Sequence, residues 1–419
     1  MLSDLVTRIA DAGWGLMAPA PRPDLAGLCE QLVSGRGEAT GLAIARTIFD
    51  DYARLDAEGR ATFFARLRDT FSVDPVALEA AITRWRDTGD AALRDLHQVS
   101  EPRSQELIRR LNRAPGGTSA LVSMRRDLLD LMEDDPSFKP LDADFRHLFS
   151  SWFNRGFLEL RRVDWSTSAS VLEKIIRYEA VHEIHGWDDL RRRVAASDRR
   201  LYAFFHPALR DDPLIFVEVA LTAAIPGSIG AILAEERAMI APDEAETAVF
   251  YSISNCQEGL RGISFGNFLI KQVVEELQRE LPSVTTFVTL SPVPGLRSWA
   301  LAQVENGALP PRLSDAAARL EAGEPDPIAA EIAAQYLMVA RGPRGGAVDP
   351  VARFHLGNGA RLEQIHTGAD KSARGGAGAW GVMVNYLYDL STIEKNHEAY
   401  STADEVIAST AVRRLLKPR

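Results

Sequence analysis

At 419 residues the chain exceeds the size of one ordinary hydrophobic core, so we expect two domains. Its formal net charge of −10 argues against nucleic acid or an anionic membrane as the main partner, although a local basic patch can still attract an anionic ligand. The two cysteines, Cys29 and Cys256, are too few for a disulfide framework. Because we find neither a signal peptide nor a bilayer-length apolar run, we expect a cytoplasmic protein.

The first 150 residues show helical periodicity and no β-rich run. Apolar residues recur three or four positions apart, and short polar turns separate one such segment from the next. Stripes of this kind form the core of a helical bundle far more often than a cofactor site. We therefore predict an all-α domain over residues 1–152 that supports the fold and holds subunits together. Two of the stripes are Ile44, Ile48, Tyr52 and Phe63, Phe64, Leu67, Phe71.

The pattern changes near residue 153, where β-type segments begin to follow one another. Consecutive strands predict antiparallel pairing, and an amphipathic helix predicted over 267–281, followed by a strand over 284–290, allows one parallel pair. The predicted fold class is therefore α+β, with a mixed, mainly antiparallel sheet in a second domain over residues 153–419. The other predicted strands cover 201–206, 214–221, 229–233 and 247–254, and further helices cover 171–181, 296–304, 313–320 and 327–339.

A glycine-containing loop joins the predicted strand at 247–254 to the helix at 267–281. A loop that feeds a helix leaves backbone N–H groups pointing at one spot, where the helix dipole favours a phosphate. Arg261 adds a positive charge there. Because three glycines in such a unit also occur as plain architecture, the motif alone leaves phosphate binding open. It is not a P-loop, since no Gly-Lys-Ser/Thr follows.

Three further features can be interpreted as chemistry or as structure. His182 and His185 lie three positions apart, whereas the helical zinc motif needs a spacing of four, so we interpret them as a surface cluster at a helix end. Ser291 follows a predicted strand and precedes Pro-Val-Pro-Gly, where a serine more often caps a turn. His355 lies in an apolar, strand-like segment and can equally be a core histidine. Spacing does not show whether Ser291 and His355 meet.

Several separated stretches resemble the malonyl-CoA decarboxylase family. They are SISNCQEGLRGISFGNFLIKQVVEELQRELP, FVTLSPVPGLRSW, FHLGNGARLEQIH and GVMVNYLYDL, while the helical half with RRLNRAPGGTSALVSMR is similar to the family's N-terminal domain. This resemblance covers nearly the whole chain. It implies a catalytic domain with the fold of GNAT-type N-acetyltransferases and conversion of malonyl-CoA to acetyl-CoA and carbon dioxide. It also implies a homodimer or homotetramer in fatty acid and malonate metabolism, with no cofactor and no metal.

The resemblance also assigns roles to residues. Ser291 and His355 match the family's serine–histidine pair, and Tyr388 matches a tyrosine near the acyl group. Family members carry a glutamate near the histidine where this chain has Ser264, so the group that orients His355 stays open. The loop that would hold the coenzyme A pyrophosphate on backbone amides consists of Arg261, Gly262, Ile263, Ser264, Phe265, Gly266 and Asn267.

The substrate then dictates the chemistry that the site must supply. Loss of carbon dioxide sends an electron pair into the thioester carbonyl, so the site must stabilise an enolate and then protonate carbon. Ser291 would hydrogen-bond the departing carboxylate or the enolate. His355 would be the general acid, a task suited to a side chain whose pKa lies near neutrality. An acyl-CoA-dependent acyltransferase and a non-enzymatic acyl-CoA sensor are the alternatives.

Overall fold

The computed structural model describes residues 23–34, 37–263, 269–343 and 345–417. They form two compact units. The first unit comprises the described parts of Met1–Leu158, His206–Asp212 and Gln257–Phe265, and the second those of Glu159–Phe205, Pro213–Cys256 and Gly266–Arg419. The division predicted between residues 152 and 153 stays a prediction. Within the described ranges, no helix is both long enough and apolar enough to cross a bilayer.

The first unit is helical, and residues 23–34 and 37–152 contain no strand, as predicted. Its predicted apolar stripes are buried, and the rings of Tyr52, Phe63 and Phe64 meet edge-on with centroids 5.4 to 5.9 Å apart. Its helices are α1 (Leu25–Val33), α2 (Glu38–Ala53), α3 (Ala57–Thr70), α4 (Pro75–Thr88), α5 (Leu93–Val99), α6 (Arg103–Asn112), α7 (Gly117–Asp134) and α8 (Lys139–Trp152).

The second unit is built on an eight-stranded mixed sheet, which confirms the predicted α+β class. Strands β1 to β4 pair antiparallel, β4 and β5 pair parallel across a helix, and β8 pairs antiparallel with β5, β6 and β7. The strands are β1 (Glu159–Val163), β2 (Arg199–Phe205), β3 (Pro213–Thr222), β4 (Thr247–Asn255), β5 (Thr286–Thr289), β6 (Ser291–Pro292), β7 (Arg361–His366) and β8 (Met383–Leu387).

Helices cover the sheet and supply its core. The apolar faces of α9 and α10 pack on residues of β2 and β3, because Val171, Leu172, Ile175 and Leu190 share one buried cluster with that part of the sheet. The helices of this unit are α9 (Ala169–Tyr178), α10 (Trp187–Val194), α11 (Ile229–Leu233), α12 (Leu269–Glu280), α13 (Leu296–Glu305), α14 (Pro311–Glu321), α15 (Ala329–Met338), α16 (Pro350–Gly357), α17 (Ala373–Ala379), α18 (Ile393–Ala403) and α19 (Thr410–Arg414).

The structure corrects the sequence analysis at several elements. The strand predicted over 229–233 is helix α11, in which Ile229 and Ile232 are buried one helical turn apart. The strand-like segment around His355 is helix α16. Strands β1 and β7 were not predicted, because their charged sequences ELRRV and RLEQIH lack apolar alternation.

Candidate active site

Ser291 begins strand β6, which Leu290 separates from the end of the parallel strand β5, and β6 pairs with strand β8. The amide of Leu290 donates to the carbonyl of Phe250 at 3.0 Å, and Ser291 then pairs with Val384 on β8. Because side chains alternate along an extended chain, Thr289 and Ser291 point to the same face, and both are buried. The serine hydroxyl is therefore held in the interior of the second unit.

His355 reaches Ser291 from helix α16. The side chain of Asp349 accepts the amide of Ala352 and so caps this helix, and Pro350 occupies its first turn. The imidazole Nε2 of His355 lies 3.2 Å from the hydroxyl oxygen of Ser291. The two residues that spacing could not connect are therefore hydrogen-bonded to each other.

Tyr388 contacts the other side of the same imidazole. Its hydroxyl lies 2.7 Å from Nδ1 of His355, and its amide donates to the carbonyl of Phe287 at 2.8 Å. The tyrosine is thereby fixed to strand β5, and its hydroxyl occupies the position of an orienting group on a histidine. The orienting group that the sequence does not identify is, in the structure, the phenol of Tyr388.

Aromatic rings surround His355 and remove it from water. Tyr386 stacks on the imidazole with centroids 4.6 Å apart and an interplanar angle of 23°, and Phe354 meets it edge-on at 5.1 Å. Burial lowers the pKa of His355 to about 3, because the charged imidazolium loses its hydration. The expectation of a pKa near neutrality is therefore wrong for this structure, in which the imidazole is neutral at pH 7.

Two fully buried residues that sequence analysis missed support the pair. Thr289 accepts the hydroxyl of Ser291 at 2.9 Å and the amide of Tyr386 at 3.1 Å. The side-chain amide of Asn385 donates to the carbonyl of Thr289 at 2.8 Å. Strand alternation could have identified Thr289, two positions before Ser291, whereas the role of Asn385 depends on the pairing of β8 with its neighbours.

Comparison with known proteins matches both parts of the chain to one family. Residues 71–153 match the malonyl-CoA decarboxylase N-terminal domain, and residues 156–419 match the malonyl-CoA decarboxylase C-terminal domain. The chain belongs to the malonyl-CoA decarboxylase family.

Individual members of the malonyl-CoA decarboxylase family agree with this assignment. The crystal structure of malonyl-CoA decarboxylase from Rhodopseudomonas palustris is 51% identical, with a TM-score of 0.89 over 93% of this chain and 98% of that one. The one from Agrobacterium vitis is 52% identical, with a TM-score of 0.89 over 94% and 100%. The mitochondrial malonyl-CoA decarboxylase of Rattus norvegicus is 33% identical, in an alignment that covers 86% of this chain and 82% of the rat protein.

The start of the loop assigned to coenzyme A is held tightly within the first unit. The guanidinium of Arg125, which is 1% exposed, donates to the carbonyls of Gly259 and Arg261 at 2.7 and 3.0 Å and forms an ion pair with Asp142 at 2.8 Å. A side chain at Gly259 would collide with the carbonyl oxygen of Val122. Only a glycine lets the loop approach this closely.

Only part of that loop lies within the described residues. Arg261 is exposed, and Gly262 has a φ of 78°, which favours glycine. The amides of Arg261 and Ile263 donate to the carbonyls of Glu258 and Leu260, both at 2.9 Å. Those two N–H groups are therefore engaged inside the loop. Outside the described residues lie Ser264, Phe265, Gly266 and Asn267.

The interpretation of His182 and His185 as a surface cluster is wrong for one of the two. His185 is exposed, with its imidazole 4.0 Å from the carboxylate of Glu183. His182 instead turns inward against Tyr251, with ring centroids 6.4 Å apart, and burial lowers its pKa to about 4. Helical spacing does not predict this difference, because helix α9 ends at Tyr178 and both histidines follow it in a loop.

Proposed function

We propose that this chain converts malonyl-CoA to acetyl-CoA and carbon dioxide. The observation that carries the proposal is the buried hydrogen-bonded line of Ser291, His355 and Tyr388 in a member of the malonyl-CoA decarboxylase family. The three residues lie far apart in sequence, yet the fold brings their polar atoms into direct contact. All three match positions that the family resemblance assigned.

The reaction breaks the bond between the carboxylate and the α-carbon. The electron pair of that bond moves into the thioester carbonyl and forms an enolate, which a hydrogen-bond donor stabilises. When the substrate binds, Ser291 turns its hydroxyl hydrogen from Thr289, its acceptor in the free site, to the departing carboxylate or the enolate oxygen. A buried environment also favours the loss of a charged carboxylate as neutral carbon dioxide.

The solvent supplies the proton that the last step needs, and substrate binding drives its uptake. The free site holds His355 neutral, but the negative carboxylate of malonyl-CoA favours the protonated imidazole beside it. The imidazole therefore takes up a proton from water as the substrate binds. It then transfers a proton to the α-carbon, which forms the methyl group of acetyl-CoA and returns the ring to its neutral state.

The remaining roles follow the family resemblance. We propose that the coenzyme A pyrophosphate contacts the amide of Gly262 and amides farther along the loop to Asn267, because those of Arg261 and Ile263 donate internally. We also propose a cytoplasmic homodimer or homotetramer that acts in fatty acid and malonate metabolism, with the helical residues 1–152 holding subunits together.

One assay separates the three candidate functions. The purified protein is incubated with malonyl-CoA labelled in its free carboxyl group, without any amine acceptor. Release of labelled carbon dioxide together with acetyl-CoA supports the decarboxylase. Turnover that requires an added amine identifies an acyltransferase, and tight binding without turnover identifies a sensor. The His355→Asn variant is the control for adventitious activity, because asparagine keeps a polar amide near the position of Nδ1 but has no acid–base group.

A further inference from the structure

The hydroxyl of Ser291 has two hydrogen-bond partners, Thr289 and His355. Ser291 donates to the hydroxyl oxygen of Thr289 at 2.9 Å. A serine hydroxyl has a single hydrogen, so the contact of 3.2 Å between its oxygen and Nε2 of His355 requires the imidazole to be the donor. His355 must therefore carry its proton on Nε2.

The contact on the other ring nitrogen agrees with this assignment. A neutral imidazole that is protonated on Nε2 has a lone pair on Nδ1. The hydroxyl of Tyr388, 2.7 Å from Nδ1, is then the donor to that lone pair. The hydrogen bonds run in one direction, from Tyr388 to His355, from His355 to Ser291 and from Ser291 to Thr289.

Thr289 is itself fixed as an acceptor. Its hydroxyl oxygen also receives the amide hydrogen of Tyr386 at 3.1 Å, and its side chain is fully buried. A hydroxyl oxygen has two lone pairs, which these two donors occupy. The threonine is therefore held in the orientation that accepts the hydrogen of Ser291.

We infer that Thr289 is a positioning residue that sets the direction of this hydrogen-bond chain, so that His355 presents its Nε2 proton on the side of Ser291. The reverse direction, with Ser291 donating to a bare Nε2, is the arrangement that activates a serine as a nucleophile. Thr289 thus favours a histidine that delivers a proton over a serine that attacks a carbonyl. The use of that proton in decarboxylation rests on the proposed function, but the direction of the hydrogen bonds does not.

The direction of these hydrogen bonds is measured on the wild-type protein by nitrogen NMR of labelled histidine side chains. The chain has eight histidines, and the signals lost in His355→Asn identify those of His355. At pH 7.5 without ligand, we expect a protonated Nε2 and an unprotonated Nδ1. A bare Nε2 with a proton on Nδ1 would overturn the inference, whatever the activity of the protein.

Two substitutions at Thr289 test its part in setting the direction. Thr289→Ser keeps the acceptor oxygen, so we expect kcat within about threefold of wild type and the same tautomer. Thr289→Val removes the acceptor with little change in shape, so we expect kcat to fall by about 10- to 100-fold, since a misplaced proton donor loses much of its catalytic effect. The His355 signals should also shift toward protonation on Nδ1, because Ser291 can then donate to Nε2.

Thr286→Val, on the same strand, is the matched control and should leave activity and tautomer unchanged. A purely structural role would lower the melting temperature of Thr289→Val without moving the nitrogen signals, and that result would contradict our inference. If Thr289→Val does not fold, the tautomer of His355 in wild-type protein and in Thr289→Ser still decides whether the hydrogen bonds run in the inferred direction. Wild-type protein with a protonated Nε2 but no turnover of malonyl-CoA would refute the proposed function and leave the inference standing.

Discussion

The buried carboxylate of Asp349 accepts the amide hydrogen of Ala352 at 2.8 Å, at the N-terminus of the helix that carries His355. Removing an N-cap side chain costs about 1 kcal/mol, and more where the site is buried. We expect Asp349→Ala to lower both the free energy of unfolding and kcat, because the start of helix α16 would shift. Asp349→Asn keeps a capping oxygen and should be close to wild type in stability.

Asp74 offers a control for this cap. It also precedes a proline and caps a helix, α4, through the amides of Val76 and Ala77, but it belongs to the first unit. Asp74→Ala should lower stability, measured by urea unfolding, while kcat stays unchanged. Equal loss of kcat in the two alanine variants would show that the cap of α16 has no specific effect on the site.

Arg125 is the second target, because it holds the carbonyls of Gly259 and Arg261 from a buried position. Replacing one partner of a buried ion pair leaves the other charge unpaired, at a cost of about 3 to 5 kcal/mol. We expect Arg125→Gln to lose stability of that order in urea unfolding and to raise KM for malonyl-CoA. Arg126→Gln removes the neighbouring, half-exposed arginine and should change either quantity little. Matching values for the two variants would contradict the prediction.

His355 should be indispensable to turnover but not to binding. Loss of a general acid typically lowers kcat by about 10² to 10⁴, so we expect His355→Asn to fall in that range with unchanged affinity for acetyl-CoA. Ser291→Ala should also lower kcat, since it removes a hydrogen bond to the reacting group. The exposed His185, replaced by asparagine, is the control. Full activity of His355→Asn would refute the role of His355 as the general acid.

The fate of the proton and of the serine can be followed in the product and in the protein. In deuterated water we expect one solvent deuteron in the methyl group of acetyl-CoA, because the imidazole exchanges its protons with water. Quenching during turnover should show no acyl group on Ser291 by mass spectrometry. An acylated Ser291 would indicate a covalent transferase, and acetyl-CoA free of deuterium would show that an exchangeable acid does not deliver the proton.

Burial of His355 also gives the protein a predictable response to acid. Its folded-state pKa of about 3 lies below the ordinary 6.5, so between these pH values the unfolded chain binds the extra proton. The free energy of unfolding should therefore fall as the pH drops from 6.5 toward 3, by up to about 1.4 kcal/mol per pH unit. His355→Asn should show a correspondingly shallower slope in urea unfolding at pH 6.5, 5.5 and 4.5, whereas His185→Asn should follow wild type. Parallel slopes for wild type and His355→Asn would rule out this assignment.

Local sequence signals predicted most of the helices and the main strands but not the contacts of the site. The segment around His355 has an apolar run too short to distinguish a strand from a helix, although Asp349 and Pro350 carried a helix-start signal. The contact between Tyr388 and Nδ1 depends on how β8 pairs and where α16 lies, which are long-range properties. The family resemblance supplied Ser291, His355 and Tyr388 as a set, and the structure supplied their hydrogen bonds. The half-buried position of His182 depends in the same way on Tyr251, which lies on strand β4.

The pairing of strand β8 limits the motion of the candidate active site. The strand carries Tyr386, is followed directly by Tyr388, and pairs with β5, β6 and β7. The amide of Tyr386 donates to the side chain of Thr289, the amide of Tyr388 donates to Phe287 on β5, and the hydroxyl of Tyr388 contacts His355. Amides within such a paired, buried strand exchange with solvent only when a large part of the sheet opens. The backbone N–H groups of Tyr386 and Tyr388 should therefore be among the slowest to exchange in the second unit. The polar atoms around His355 then keep their arrangement through ordinary fluctuations, so little reorganisation is needed when the carboxylate arrives.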